Sequence, residues 1–444
     1  MQLRPHQLEG IARATAAMEG GGGFAIFCEQ RTGKTAIAVR IIRQLKPATV
    51  WVLCPKVAIP IWRLAFKRLE IDALVVNYDQ IITRRKAWYK AAKAAEDLMV
   101  IADESHFLKT RGTARSGVSR HIAHHARYRL ILTGTPIAQG LQDAWAQFDF
   151  VDPKIFGPYD DKVERDPRTK RIIRIIQEGF DSRYLKWGGF KNHDIVGYRN
   201  EEEFYQKFHA HSYRVTLREA RKRAGYAPLK IHSVKIPVHL TESTRQIYDS
   251  ILDDLIATVN QRKIKIKNVL SSVSKLQQVT GGFLIDSADG EKEILTVGNE
   301  KMTKLREVVR SFAPQTKFIV IARYIHEIET ITNLLDSMGY RVNEVRGGIP
   351  YDGKFQADAI VMQIQAGMAV DMSHASTIIF YSTDYSYLNY EQSRFRTLSF
   401  DKKIARYFSL IGMDTIDEII HQAVTRKKNL AKLVCDTYRK GNRT

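Results

Sequence analysis

Four short stretches hold the residue types that chemistry needs. The first is "GGFAIFCEQRTGKTAIAV" (22–39), which closes on Gly33, Lys34 and Thr35. In a strand–loop–helix setting, backbone N–H groups and a helix N-terminus cradle phosphates. Lys34 would neutralise the β and γ oxygens, the Thr35 hydroxyl would sit on Mg²⁺, and Gly33 would let the backbone come close. Taken alone, the loop is equally compatible with a chance Gly-Lys-Thr, because Cys28 stands where a first glycine is usual and Arg31 sits mid-loop.

The second stretch is "LMVIADESH" (98–106), about 70 residues further on. An apolar strand delivers Asp103 and Glu104 at its C-terminal end, where open α/β sheets place their sites. Asp103 suits a divalent ion and Glu104 an attacking water, although an acidic strand–helix cap would look the same in isolation. The third is "YRLILTGTP" (128–136), a strand ending in Thr133, Gly134 and Thr135, whose hydroxyls can bond the acidic pair. The fourth is "YEQSRFRTLSF" (390–400). Gln392, Arg394 and Arg396 follow a late apolar strand, and an arginine there can reach a γ-phosphate as a finger does, or simply be a basic surface cluster.

These residues need elements to hold them. Residues 1–151 alternate near-continuous apolar strands with helical patterns, the mark of a parallel sheet covered on both faces. A second alternating pattern begins near residue 299. Between them, residues 152–298 are basic, and "PRTKRIIRIIQEGF" (167–180) reads as a basic helix. The expected fold class is therefore α/β, with a parallel-sheet lobe at 1–151, a basic, largely helical insert and linker region at 152–298, and a second lobe at 299–444 ending in a basic helix.

The 444 residues carry 69 Lys and Arg against 48 acids, a net charge of +21. That excess implies a polyanionic partner, most often nucleic acid, or else a merely basic soluble protein. No apolar run is long enough to span a membrane. The three cysteines fit no metal spacing and argue against a disulfide framework, so a cytoplasmic setting is expected.

Order and spacing of these motifs resemble the superfamily 2 helicases, and more closely their Snf2-like branch. "LRPHQLEGI" is similar to the opening glutamine motif and "EQRTGKT" to motif I. "VWVLCPKVAIPIWRLAF" is similar to motif Ia, "VVNYDQI" to the next strand end, "ADESH" to motif II and "LTGTPI" to motif III. "KFIVIARYIHEIETI", "QIQAGMAVDMSHASTIIFYSTDYS" and "YEQSRFR" resemble motifs IV, V and VI. The resemblance covers most of both lobes and implies two RecA-like lobes with ATP and Mg²⁺ between them. It implies catalytic roles for Lys34, Asp103, Glu104, Gln392, Arg394 and Arg396, and metal binding by Thr35 and Asp103. Nucleotide binding falls to Arg4, Gln7 (reading adenine), Glu29, Arg31, Thr32, Gly33, Lys34 and Thr35.

Three departures stand out. The Snf2 branch usually has glycine at Arg31, whereas the Cys28 position is often not glycine there. Motif V lacks the usual glycine before its acid, running Met368-Ala369-Val370-Asp371. Motif VI has Arg396 four residues after Gln392 but Ser399 at seven, so Arg394 and Arg396 both remain finger candidates.

The implied partner is DNA, forked, branched or duplex, bound by a monomer through its backbone with little sequence preference. The candidate contacts are Pro55 and Lys56 of motif Ia, Thr135, the 171–174 helix, the 218–223 run with Arg218, and Lys263 and Lys265. Trp187 and Phe190 are either a stacking platform at a junction or, as the preferred reading, a core anchor. The 152–300 region resembles phage-encoded Snf2-like proteins, compact motors that unwind or branch-migrate forks in replication, recombination or repair. The rivals are a double-strand DNA translocase that separates no strands, and a DNA-binding scaffold with a dead nucleotide site.

Overall fold

The computed structural model describes residues 3–137, 139–189, 193–259, 266–286, 293–347, 357–366, 372–426 and 430–438. The chain divides into two compact units, Met1–Pro228 and Leu229–Thr444.

The first unit opens with α1 (Pro5–Ala17), β1 (Gly22–Cys28), α2 (Lys34–Leu45), β2 (Thr49–Cys54), α3 (Ile59–Leu69) and β3 (Leu74–Asn77). It continues with α4 (Tyr78–Thr83), α5 (Arg85–Ala94), β4 (Leu98–Asp103), α6 (Ala114–Ala123), β5 (Tyr128–Leu132) and α7 (Gln142–Val151). Next come a hairpin of β6 (Lys162–Arg165) and β7 (Ile172–Gln177), α8 (Phe180–Tyr184) and a second hairpin of β8 (Leu185–Gly188) and β9 (Asp194–Tyr198). The unit closes with α9 (Glu201–Ala210), β10 (Ser212–Val215) and α10 (Leu217–Arg223).

Six of these strands form one parallel sheet in the order β10-β1-β5-β4-β2-β3. The apolar runs explain it. β2 and β4 each bury five consecutive residues, which only a sheet covered on both faces permits. A core running from Ala25 and Phe27 through Leu98 and Val100 to Phe204 and Phe208 joins the sheet to α7, α8 and α9.

The second unit contains β11 (Lys230–Val238), α11 (Glu242–Val259), α12 (Ile266–Gly281), the antiparallel pair β12 (Phe283–Asp286) and β13 (Glu293–Thr296), and α13 (Glu300–Arg310). There follow β14 (Phe318–Ala322), α14 (Ile325–Ser337), β15 (Val342–Val345), β16 (Ala359–Gln363) and β17 (Thr377–Phe380). The unit ends with α15 (Tyr387–Phe395), β18 (Ile404–Gly412), α16 (Ile416–Thr425) and α17 (Leu430–Tyr438). Its parallel sheet runs β11-β18-β17-β14-β16-β15. Pro237, which has no N–H to donate, is tolerated because β11 is an edge strand.

The two-sheet α/β class matches expectation, but the expected middle segment 152–298 is divided between the units. β10 pairs with β1 through Ala25–Ser212 to Cys28–Val215 and completes the first sheet. β11 pairs with β18 along its whole length and starts the second. Both partners lie far away in sequence, so no local pattern announces them. The expected basic helix at 167–180 is also corrected: Ile172–Gln177 is a strand. Its Ile-Ile-Arg-Ile-Ile run is β-branched, a chemistry that stiffens χ1 and favours the pleated conformation.

Candidate nucleotide-binding site

The loop that follows β1 is built by backbone conformation. Arg31 adopts φ +66° and Gly33 φ +89°, both left-handed, and Lys34 then opens α2. A Cβ on Gly33 would run into the Gln7 amide, so glycine is required there by conformation and by space. The Thr32 hydroxyl donates to the Glu29 carbonyl at 2.6 Å, closing the turn from inside.

The glutamine motif buttresses this loop. Gln7 Nε2 donates to the Thr32 carbonyl at 3.1 Å while its Oε1 accepts from the Arg4 amide at 2.9 Å. His6 Nε2 reaches the same carbonyl at 2.8 Å, and since a carbonyl only accepts, that nitrogen carries the proton. Burial holds His6 below its ordinary value, so the ring stays neutral. In this conformation both ends of the Gln7 amide are spent on the loop and the helix cap. Glu29, expected at the nucleotide, accepts from the Leu217 amide at 2.8 Å and so fastens α10 to the loop. Cys28 is fully buried at the end of β1, with its thiol pushed up to about 12 by burial, which explains why a small apolar-like residue fits.

β4 ends at Asp103 on the same edge of the sheet. Asp103 Oδ2 accepts from Trp62 Nε1 at 2.7 Å, and its Oδ1 from the Glu104 amide at 3.0 Å. Its carbonyl accepts from the Tyr78 hydroxyl at 2.7 Å. Burial and the adjacent Glu104 raise the carboxyl to about 6, against the pull of Trp62 and Lys34. Trp62 and Tyr78 were missed as site residues, although both lie in quoted motifs. The usable signal was that a carboxylate at a buried strand end must find donors, but sequence distance does not pick the indole, since Trp88 lies nearer to Asp103 in the chain than Trp62 does.

Glu104 stands in a left-handed conformation, φ +49°, which turns its side chain from the strand direction. Its Oε2 lies 3.2 Å from His106 Nδ1 and accepts from the Thr133 hydroxyl at 3.5 Å. Thr133 Oγ1 in turn lies 3.1 Å from His106 Nδ1 and accepts from the Thr135 amide at 3.2 Å. The acidic pair is thereby wired to the loop after β5. A parallel wire runs from the Ser105 hydroxyl to Gln147 Oε1 at 2.8 Å, with Gln147 Nε2 donating to the Pro136 carbonyl at 2.7 Å. A Cβ on Gly134 would lie 3.3 Å from the Gln30 amide nitrogen, so this loop also packs against the phosphate-type loop.

The residues from 29 to 35, Asp103, Glu104, Thr133 and Thr135 therefore converge at the C-terminal edge of one sheet. Thr35 and Asp103 are hard oxygen donors of the kind that hold Mg²⁺ with few protein ligands, and the fit is good on donor chemistry.

In the second unit Gln392 is buried within α15, and Arg394 Nη1 pairs with Glu391 at 2.5 Å with its guanidinium over the Tyr407 ring. Arg396 caps the C-terminus of α15. Asp371 and its Met368–Val370 neighbours lie outside the described residues, as do Phe190, Lys263 and Lys265.

Among the expected DNA contacts, Pro55 and exposed Lys56 sit just past β2 at the same sheet edge. Arg218 and Lys222 are exposed on α10, while two other arginines of the run have partners within the unit. Arg221 is buried and donates to the Ala227 carbonyl at 2.7 Å, and Arg223 pairs with Glu9 at 2.5 Å. Trp187 is 41% exposed and its indole donates to Asp181, so the preferred reading of a core anchor is corrected. It sits on the short β8–β9 hairpin, which has too little backing to bury it.

The site thus combines a phosphate-type loop, an acidic strand end and a hydroxyl-bearing loop at one sheet edge. Residues 65–281 match the model of the SNF2-related domain. The chain is 23% identical to the mouse SWI/SNF-related matrix-associated actin-dependent regulator of chromatin subfamily A member 1, over 97% of this chain and 43% of that protein. It is 22% identical to mouse chromodomain-helicase-DNA-binding protein 1-like, over 98% of this chain and 50% of that protein. It is 20% identical to an uncharacterized ATP-dependent helicase of Mycoplasma genitalium, over 97% and 42%. A solved Sulfolobus solfataricus SWI2/SNF2 ATPase core in complex with dsDNA aligns at 18% identity and TM-score 0.44, covering 100% of this chain and 94% of that one. By sequence the chain is thus similar to SNF2-related proteins. The chain spans half or less of the length of these curated relatives.

Among the described residues, no helix is long and apolar enough to cross a membrane.

Proposed function

We propose that the chain is a DNA-dependent ATPase that couples ATP hydrolysis to movement along DNA, unwinding or branch-migrating forks and junctions. The observation that carries this reading is the convergence of the 29–35 loop, Asp103–Glu104 and Thr133–Thr135 at one sheet edge. Lys34 and the loop amides hold the triphosphate. Thr35 and Asp103 hold Mg²⁺, which when bound screens the phosphate charge. Glu104 orients the attacking water, and the His106–Thr133 contacts hold Glu104 ready and pass its state to the Thr135 loop. Release of Gln7 from Thr32 would free its amide for adenine.

For motif VI, Arg394 is held by Glu391 and by aromatic rings, and Arg394 and Arg396 both remain proposed candidates for the arginine that answers to the nucleotide. The compact, phage-encoded type is the proposed setting, as a monomer in the host cytoplasm, with Lys56, Arg218, Trp187, Lys263 and Lys265 as proposed DNA contacts.

ATP hydrolysis measured with single-stranded, duplex, forked and four-way-junction DNA tests the reading. DNA should stimulate turnover, and Lys34→Ala should lower it at least about 100-fold by removing a fixed charge at the transferring phosphoryl group. Absence of DNA-stimulated turnover in the folded wild type would sink the proposal. A translocase that separates no strands would show equal ATPase on blunt and forked duplexes without strand release.

A further inference from the structure

The β6–β7 hairpin has a surface that its own unit does not explain. All six residues of β7 are exposed, and Ile172, Ile173, Ile175 and Ile176 are 54%, 60%, 59% and 62% accessible. Neighbours along a strand point to opposite faces, so each Ile-Ile pair puts one isoleucine on each side of the ribbon. A hairpin packed on a core would show one apolar and one polar face. Here β7 presents isoleucine on both faces, while its partner β6 brings Lys162, Glu164 and Arg165. Residues 162–174 also hold six cations (Lys162, Arg165, Arg168, Lys170, Arg171, Arg174) against two acids.

The ribbon is nevertheless stiff at both ends. At its tip Asp166 Oδ1 accepts from the Arg168 and Thr169 amides at 2.8 and 2.7 Å, and the Asp166 amide donates to the Arg171 carbonyl at 2.8 Å. At its root Asp161 accepts from the Gly179 amide at 2.6 Å and from the Ser182 hydroxyl, while Arg111 forms a two-pronged pair with Asp160. The root then enters the aromatic core at Tyr159 and Phe180. Six strand residues project about 20 Å at the usual rise.

We propose that this hairpin is a strand-separating pin, seated where duplex DNA opens into single strands. Base faces are apolar and phosphates anionic, and the ribbon offers both, exposed isoleucines along β7 and cations on β6 and at the turn, with Arg174 paired to Glu164. Isoleucine is among the side chains that wedge between base steps and unstack them. A second copy of the chain fits less well, since apposed hairpins would set six cations against six. The inference rests on the DNA-motor reading above and adds what that reading does not assign, the element that parts the strands.

The test compares wild type with Ile173→Ser/Ile176→Ser, which alters one isoleucine from each face and touches no residue of the nucleotide site. Strand release from a forked duplex and ATPase on the same fork are measured together, with 2-aminopurine at the first base pair of the fork. The variant should keep ATPase within about twofold, lose strand release by about tenfold or more, and lose the fluorescence rise on binding that reports unstacking. Strand release and fluorescence equal to wild type would overturn the pin while leaving the motor standing. So would a wild type that hydrolyses ATP on the fork without releasing strands, or a dimer that the variant breaks without any effect on the fork. A wild type without DNA-stimulated ATPase would instead overturn the underlying reading.

Discussion

Arg31 shows how a residue that looks wrong in a motif is accommodated by conformation. It occupies the left-handed region at φ +66°, where an L side chain costs about 1 kcal/mol and glycine nothing. Arg31→Gly should therefore leave the unfolding free energy unchanged or raise it by up to about 1 kcal/mol, and keep ATPase activity. A loss of turnover as deep as that of Lys34→Ala would assign the guanidinium an essential phosphate contact. His421 makes a second residue-level case, outside the nucleotide site. Burial, helped by the cation of Lys235, holds its ring at about 4. The unfolded chain protonates near 6.5 and the folded one near 4, so the unfolded state binds more protons between those values. The stability due to neutral His421 is thus complete above pH 6.5 and is lost as pH falls from 6.5 to 4, by about 1–3 kcal/mol for a partly exposed ring. Urea unfolding of wild type and His421→Gln across that window checks it: the wild-type curve should fall more steeply, and parallel curves would remove His421 as the cause. At this scale the sequence pointed to Lys34, Asp103 and Glu104 as candidates, and the loop from 29 to 35 and the acidic pair lie at the C-terminal edge of one sheet. It did not disclose the donors that hold Asp103, because Trp62 and Tyr78 act through folding geometry.

At the scale of elements, legibility follows the distance to a partner. β1, β2, β4 and β5 are read directly from their buried apolar runs, and each delivers its loop to one edge. β10 is four residues long and half polar, and it is a strand only because β1 offers it an edge. β7 is a strand for the opposite reason: its isoleucines favour extension although nothing covers them. The consequence for boundaries is testable. A fragment of residues 1–151 lacks β10 and leaves β1 as an exposed, flat, apolar edge, and it also strips Phe204 and Phe208 from the aromatic core around Phe27 and Phe148. A fragment of residues 1–228 keeps both. The longer fragment should be monomeric and unfold cooperatively, while the shorter should aggregate, as unpaired apolar edges do. Circular dichroism melting and light scattering of the two read this out, and a cooperative, monomeric 1–151 would show that β10 and α9 are dispensable.

At the scale of the whole molecule the dominant quantity is the net charge of +21, which no local geometry requires. The chain spends part of its basic excess internally: Arg111, Arg120, Arg183 and Arg223 all sit in ion pairs. Other cations, among them Lys56, Arg218, Arg168 and Lys170, are exposed. A protein that neutralises several phosphates releases their counterions, so its affinity must fall steeply with salt and hardly depend on sequence. If the DNA footprint engages six to ten phosphates, the duplex dissociation constant should weaken by about 10³ to 10⁵ between 50 and 200 mM salt, and scrambled duplexes should bind alike. Lys56→Ala should lower the slope of log affinity against log salt by about 1 without changing sequence preference, as loss of one phosphate contact does. Fluorescence anisotropy at four or five salt concentrations measures it. A flat salt dependence would mean that the charge serves solubility alone. A slope that Lys56→Ala leaves untouched would move the DNA track off the edge of the sheet that carries Asp103 and the 29–35 loop.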